Sequence, residues 1–304
     1  MQSHLGELIA LVTAVCWTAT SLAFQQATRR EGSLSVNLLR LLIALILYSV
    51  VSKFMRGTFF PIDASQHVWV WMSVSGLVGF VFGDFFLFKS YEYVSARISM
   101  LMMSLSPPIA AFIGWFALGE TMTIKAILAM AVTLLGIVIV VTEKKKLDEA
   151  NPQTKNKLKF SYPLRGLLFA FGGAVGQASG LVISKYGMGD YNVFAATQIR
   201  VIAGSIGFTI IIFMMRRWTR VFSAVKNTKS MRFILIGAFF GPFIGVYLSL
   251  LSVKYTTVGI ASTIMAIIPV MIIPPAILLY KEKVTLKETI GALITVGGVI
   301  MFFI

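Results

Sequence analysis

An ungapped internal repeat constrains this chain more than any other feature. The segment from Tyr91 to Val141 maps onto the segment from Val253 to Phe303 at an offset of 162 residues. Tyr93 falls on Tyr255, Met103 on Met265, Pro107 on Pro269, and Glu120 on Glu282. Thr123 falls on Thr285, Lys125 on Lys287, Thr133 on Thr295, and Gly136 on Gly298. Each copy reads as an apolar helix with a central proline, a short turn carrying Glu and Lys, and a second apolar helix. A duplicated pair of hydrophobic helices implies two related halves.

Composition says what solvent those helices face. Of 304 residues, 57% are hydrophobic and 13% are charged, and the mean hydropathy is +0.85. Soluble domains carry about 25% charged residues, so hydrocarbon is the expected surrounding and the lipid bilayer an expected partner. Ten apolar runs can be marked, at 5–25, 34–52, 68–88, 96–118, 125–142, 163–184, 193–213, 231–252, 259–280 and 287–304. Each holds about 20 residues, enough to cross ~30 Å at 1.5 Å per residue. The expected fold is an all-α integral membrane protein, with ten transmembrane helices as two inverted five-helix repeats around a central cavity. The first repeat occupies 1–142, a basic linker 143–162, and the second repeat 163–304. Five is odd, so the second half enters from the opposite face.

Cys16 is the only cysteine, which excludes an internal disulfide and a cysteine-based metal site. It reads as a small packing residue. The N-terminus lacks a basic n-region and a small-residue cleavage site, so the first helix is expected to be retained. The net charge of +15 would suit a nucleic-acid binder. In a membrane protein it is better explained by Lys and Arg collecting in cytoplasmic loops, and no nucleic-acid partner is expected. Twenty of the 27 Lys and Arg residues lie in loops after odd-numbered runs, five on the other side, and Arg40 and Arg200 within runs. That bias places both termini outside and the linker, a solvated connector, inside.

The repeat continues upstream at an offset of 160, with Gly6 on Gly166, Trp17 on Gln177, and Arg40 on Arg200. Gly79 and Gly83 fall on Gly241 and Gly245 at the offset of 162. These are G-x-x-x-G spacings, which let helix backbones approach closely. Gly172, Gly176 and Gly180 form a further stripe in the sixth run, read either as close packing or as a face kept smooth for sliding. Pro107 and Pro269 fall near the middle of the fourth and ninth runs. A mid-helix proline removes a backbone hydrogen bond, and the freed carbonyl must face protein, water or ligand. Equivalent breaks in both halves suggest gating and a site at the repeat interface; plain kinks are the other reading.

The paired P…E blocks, the small-residue spacing in the third and eighth runs, the arginine in the second and seventh, and the two fivefold halves resemble the drug/metabolite transporter superfamily. More narrowly they resemble its EamA-type exporters and permeases, over nearly the whole chain. The resemblance implies ten helices, a central cavity and alternating access. Members handle amino acids, other small metabolites, sugars or nucleotide sugars, so it does not fix the cargo. Bacterial relatives are usually drawn with both termini in the cytoplasm, opposite to the charge count.

Few charged groups lie within the runs, and each costs several kcal/mol at mid-membrane unless paired or hydrated. Asp84 is the only acid well inside one. It reads either as a fixed ion pair with Arg40 or Lys89, or as a proton-coupling or substrate-amine site. Lys89 and Lys185 lie near helix ends and can snorkel. Arg40 and Arg200 read as structural anchors or as binders of an anionic group such as a carboxylate. Trp17, Thr20 and Phe24 share a face of the first helix, and Gln177 and Ser184 a face of the sixth. With Tyr247 in the eighth, these are the candidate cavity and substrate-binding residues; packing or lipid contact is the alternative for the aromatics. Glu120 and Glu282 read as turn structure, with Thr123 and Thr285 as N-caps.

An intramembrane aspartyl protease would need a second acid opposite Asp84, and none is visible. There is no H-E-x-x-H, G-x-S-x-G or Walker A sequence, and no charge ring or filter loop of a channel. The expectation is a secondary transporter, an exporter or permease of small organic and amino-acid-like metabolites, with proton coupling through Asp84 a candidate. A facilitative uniporter or channel, or a translocator of lipid-linked or sugar metabolites, is the alternative. No cofactor, metal or catalytic residue is expected. The location is the plasma membrane, multi-pass, with a monomer sufficient because the pseudo-symmetry is internal.

Overall fold

The computed structural model describes residues 4–141, 163–280 and 285–301, which are helical and contain no strand. The basic linker lies outside the described residues, as do Lys281, Glu282 and Lys283.

The first half begins with α1 (Leu5–Glu31), which ends at Gly32 with φ +81° and turns at once into α2 (Ser33–Arg56). A left-handed Gly57 stops α2, as expected where only glycine takes positive φ without cost. α3 (Gln66–Tyr91) starts on Ser65, whose hydroxyl accepts from the Val68 amide. It is followed by α4 (Ala96–Met103), α5 (Ser106–Leu118) and α6 (Ile124–Val141). In the second half α7 (Leu164–Met188) and α8 (Val193–Met214) are joined through Asn192, the cap of α8. α9 (Trp218–Lys226) is short, and α10 (Thr228–Tyr255) starts on another asparagine cap, Asn227. α11 (Val258–Met265), α12 (Ile268–Met271), α13 (Ile273–Tyr280) and α14 (Leu286–Ile300) complete the chain.

Among the described residues, seven segments are long and apolar enough to cross a membrane: α1, α2, α3, α7, α8, α10, and the run from Val258 to Pro275. Shorter apolar helices cover Ser106–Leu118, Ile124–Gly136 and Thr289–Gly298. The outer surface is apolar too. Phe54, Phe116 and Leu278 are each at least 80% exposed, which suits hydrocarbon and not water.

The proline positions correct one expectation. Pro107 and Pro269 do not kink continuous helices. Each sits in the first turn of a new helix, α5 and α12, after a break at Ser104–Leu105 and at Ala266–Ile267. Proline lacks an N–H and its ring meets the carbonyl four residues back, so the helix ends and restarts where no amide hydrogen is needed.

α3 and α10 share a second irregularity. Leu77–Asp84 and Phe239–Gly245 are both π-helical, seven or eight residues wound wide at repeat-equivalent places. Pro242 lies inside the second and accounts for it. Phe80 stands at the equivalent point of the first, so proline is not the cause there.

The halves interlock. α3 packs on α7 and α8, and α10 packs on α1 and α2. A Cβ at Gly180 would lie 2.8 Å from the Cα of Gly79, and one at Gly83 would lie 3.1 Å from the Gln177 amide nitrogen. The glycine stripe of α7 is therefore a close-packing face against α3. Gly241 of α10 meets Thr20 of α1, and Gly245 lies near Cys16. α6 and α14 pack through a reciprocal contact: Gly136 against Thr295, and Gly298 against Thr133.

Candidate functional site

A cavity of about 110 Å³ lies between the halves. α1 contributes Trp17, α3 Phe80 and Leu87, α7 Gln177, and α8 Arg200. α10 contributes Val246 and Ser249. The two proline breaks frame it with Ser104, Ser106, Ala266 and Pro269. Trp17 and Gln177 are repeat equivalents, as are Met103 and Met265, so one wall is built twice from the same positions. The lining is otherwise apolar. Ser249 Oγ donates to the Val246 carbonyl at 2.8 Å and Ser262 Oγ to the Val258 carbonyl at 2.6 Å, whereas Ser106 Oγ reaches the Ala174 carbonyl of the other half at 3.1 Å.

Behind the cavity wall lies a buried charge cluster. Arg40 donates to Asp84 through Nη2, and both side chains are fully buried. Arg40 Nε donates to Asn37 Oδ1 at 2.9 Å. Its guanidinium also stacks near Phe88, 4.5 Å from the ring centroid. The other Asp84 oxygen accepts from Gln177 Nε2 of the opposite half. Arg200 approaches the same cluster from α8, with its guanidinium 5.0 Å from the Phe80 ring. Phe80 is thus near both arginines, with the Arg40 guanidinium 5.8 Å from its ring centroid. Arg200 is 3% exposed, and its Nε is buried without a hydrogen-bond partner. Among the described residues no carboxylate lies within ion-pair distance of it.

The structure divides the candidate residues in two. Trp17, Gln177 and Arg200 line the cavity, with Pro269 at its edge. Arg40 and Asp84 are one layer behind, linked to the cavity through Gln177. The remaining candidates point elsewhere. Phe24 is buried against Gly237 and Phe88, and Thr20 Oγ1 bonds the Gly237 carbonyl at 3.4 Å. Ser184 shares a 2.6 Å hydrogen bond with Ser75. Tyr247 packs on Phe194. Pro107 is buried in the α5 turn and is not on the lining. Lys89 does not reach Asp84; it pairs with Glu92 at 2.5 Å.

At one end of the cavity helices, Glu120 forms an ion pair with Lys185 at 2.5 Å and accepts from the Val258 amide at 3.0 Å. Lys185 also donates to the Thr256 carbonyl at 2.7 Å. The Glu120 turn of the first half is thereby tied to two helix ends of the second. Thr123 caps α6, accepting from the Ala126 amide. Sequence reasoning placed Glu120 in turn structure but did not foresee its partner, because nothing in the local sequence points to Lys185.

Paired apolar helices, reciprocal contacts between halves, and a cavity walled by both define a multi-pass membrane protein of the two-repeat transporter class. The family model described as the EamA-like transporter family matches residues 4–142 and 164–304. The chain belongs to the EamA-like transporter family, and it is a membrane transporter of the drug/metabolite type. A solved structure described as "Crystal structure of protein" is similar in fold, with a TM-score of 0.74. It is 17% identical in sequence, and the match covers 98% of this chain and 96% of that one. No curated protein matches the sequence.

Proposed function

We propose that this chain is a secondary transporter of small organic metabolites, including amino-acid-like solutes, that works by alternating access. Ten helices cross the plasma membrane in this reading, as two inverted repeats of five, and a single chain suffices. The cavity between the halves is the cargo site. The observation that carries the reading is that equivalent residues of the two repeats, Trp17 with Gln177 and Met103 with Met265, all line that cavity. Inverted-repeat transporters hold cargo at such an interface near the midplane and rock one unit against the other. The broken helices at Pro107 and Pro269 supply joints for that motion.

In this reading proton coupling runs through Asp84. Gln177 lines the cavity and is bonded to Asp84, so a proton arriving there is felt by cargo. The Asp84→Asn variant would then lose dependence on the pH gradient.

The test is the metabolite content of medium from cells overproducing the protein, beside cells producing Leu181→Trp, a variant that fills the cavity. The expected result is one compound class accumulating outside only with the intact protein. Unchanged medium together with unchanged uptake would count against the reading.

A further inference from the structure

The two halves carry the same arginine but not the same surroundings. In the first half Arg40 has a buried carboxylate partner: Asn37 takes Nε and Asp84 takes Nη2, with Nη1 left without a hydrogen bond. At the repeat offset of 160, Asn37 corresponds to Thr197, and at 162, Asp84 corresponds to Val246. Thr197 carries no charge to offset Arg200; its hydroxyl donates to the Val193 carbonyl at 2.7 Å. Val246 offers no acceptor, and it lines the cavity beside Arg200. Arg200 is thus left with a buried Nε and no carboxylate among the described residues, in contact with the cavity. A buried cation is expensive unless something neutralises it.

We propose that Arg200 is the recognition point for a carboxylate on the cargo, which occupies the place that Asp84 fills for Arg40. The inference rests on the cavity being the cargo site. Charge and shape narrow the class. Arg40, Asp84 and Arg200 sum to one positive charge, so one monoanionic group balances the cluster. A dianion would leave a net negative charge in a low-dielectric wall. Among the described residues no acidic one lines the cavity, so a cationic cargo has no counter-charge there. The rest of the lining, with Trp17, Met100, Met103, Leu181 and Met265, suits an apolar body. The favoured cargo is a small organic monocarboxylate with an apolar or aromatic side. Guanidinium binds carboxylates in a planar, charge-assisted geometry, which accounts for arginine at this position.

The experiment uses the full chain in lipid nanodiscs. Binding is measured for a panel of monocarboxylates, from acetate through phenylacetate to indole-3-acetate, each beside its uncharged amide. The expected result is that at least one acid binds ~10–100-fold more tightly than its amide, the span that a charged hydrogen-bonded pair supplies. Arg200→Gln should abolish that preference. So should Val246→Asp, which gives Arg200 the internal partner it lacks; having two variants guards against one failing to fold. Leu181→Trp should weaken acid and amide alike. If no acid is preferred over its amide, or if the preference survives both Arg200→Gln and Val246→Asp, the proposal is overturned. If binding survives Leu181→Trp unchanged, the cavity is not the cargo site, and the broader reading fails with it.

Discussion

At the residue scale, the decisive object is the Arg40–Asp84 pair. Its burial is complete, Asn37, Gln177 and Phe88 contact it, and Arg40 Nη1 is left without a hydrogen bond. Removing one partner strands a charge in a medium that cannot solvate it, which costs about 3–5 kcal/mol. Asp84→Asn should therefore lower the unfolding temperature of the purified protein strongly. The double change Arg40→Met with Asp84→Leu should recover most of the loss, because an apolar pair of similar volume is tolerated in place of a buried ion pair. Thermal unfolding in detergent compares them directly; a double variant as unstable as the single would mean that the charges themselves are required. Asp84 and Arg40 were legible in the sequence, because acids and arginines inside apolar runs are rare and need each other. Gln177 as the third member was not legible, since it comes from the other half. Thr20 and Phe24 were misplaced for a related reason. α1 has neighbours on several sides, so a shared helical face does not say which neighbour it meets.

At the element scale, small residues decide which helices can touch. A Cβ at Gly136 would sit 2.5 Å from Thr295 Oγ1, and a Cβ at Gly298 would sit 2.5 Å from Thr133 Oγ1. Gly297, one residue away, has nothing within 4 Å. Gly298→Leu should therefore separate α6 from α14 and cost about 1–3 kcal/mol or more through overpacking, whereas Gly297→Leu should be close to neutral. Folded yield by size-exclusion chromatography distinguishes them, and equal loss from both would contradict the packing account. The glycine spacing was readable because close helix approach requires small residues at fixed intervals. The proline sites were readable too, but as kinks and not as restarts, since spacing alone does not show on which side of the break the proline falls. α9 was missed. Its Trp218, Val221, Phe222 and Val225 alternate with Arg217, Arg220 and Lys226 at helical spacing, which marks a helix lying along the interface. Counting that stretch only for its charge hid the pattern. The π-helical turn at Leu77–Asp84 has no counterpart of Pro242 and gave no sign of itself.

At the scale of the whole molecule, the duplication carried most of the architecture, because equivalent positions in two copies must satisfy the same packing. It also exposed the one asymmetry that matters for cargo, an arginine kept in both copies while its acid is kept in one. The central claim is that the cavity between the copies is reached from each side of the membrane in turn. Cys16 is buried and is the only cysteine, so a Cys16→Ser background allows a single reporter to be placed at Ser262 on the cavity lining. The measurement is the rate at which a membrane-impermeant maleimide labels Ser262→Cys from one face and then from the other, in oriented vesicles. Alternating access predicts labelling from both faces, slowed from both by Leu181→Trp. Labelling confined to one face under every condition would contradict it.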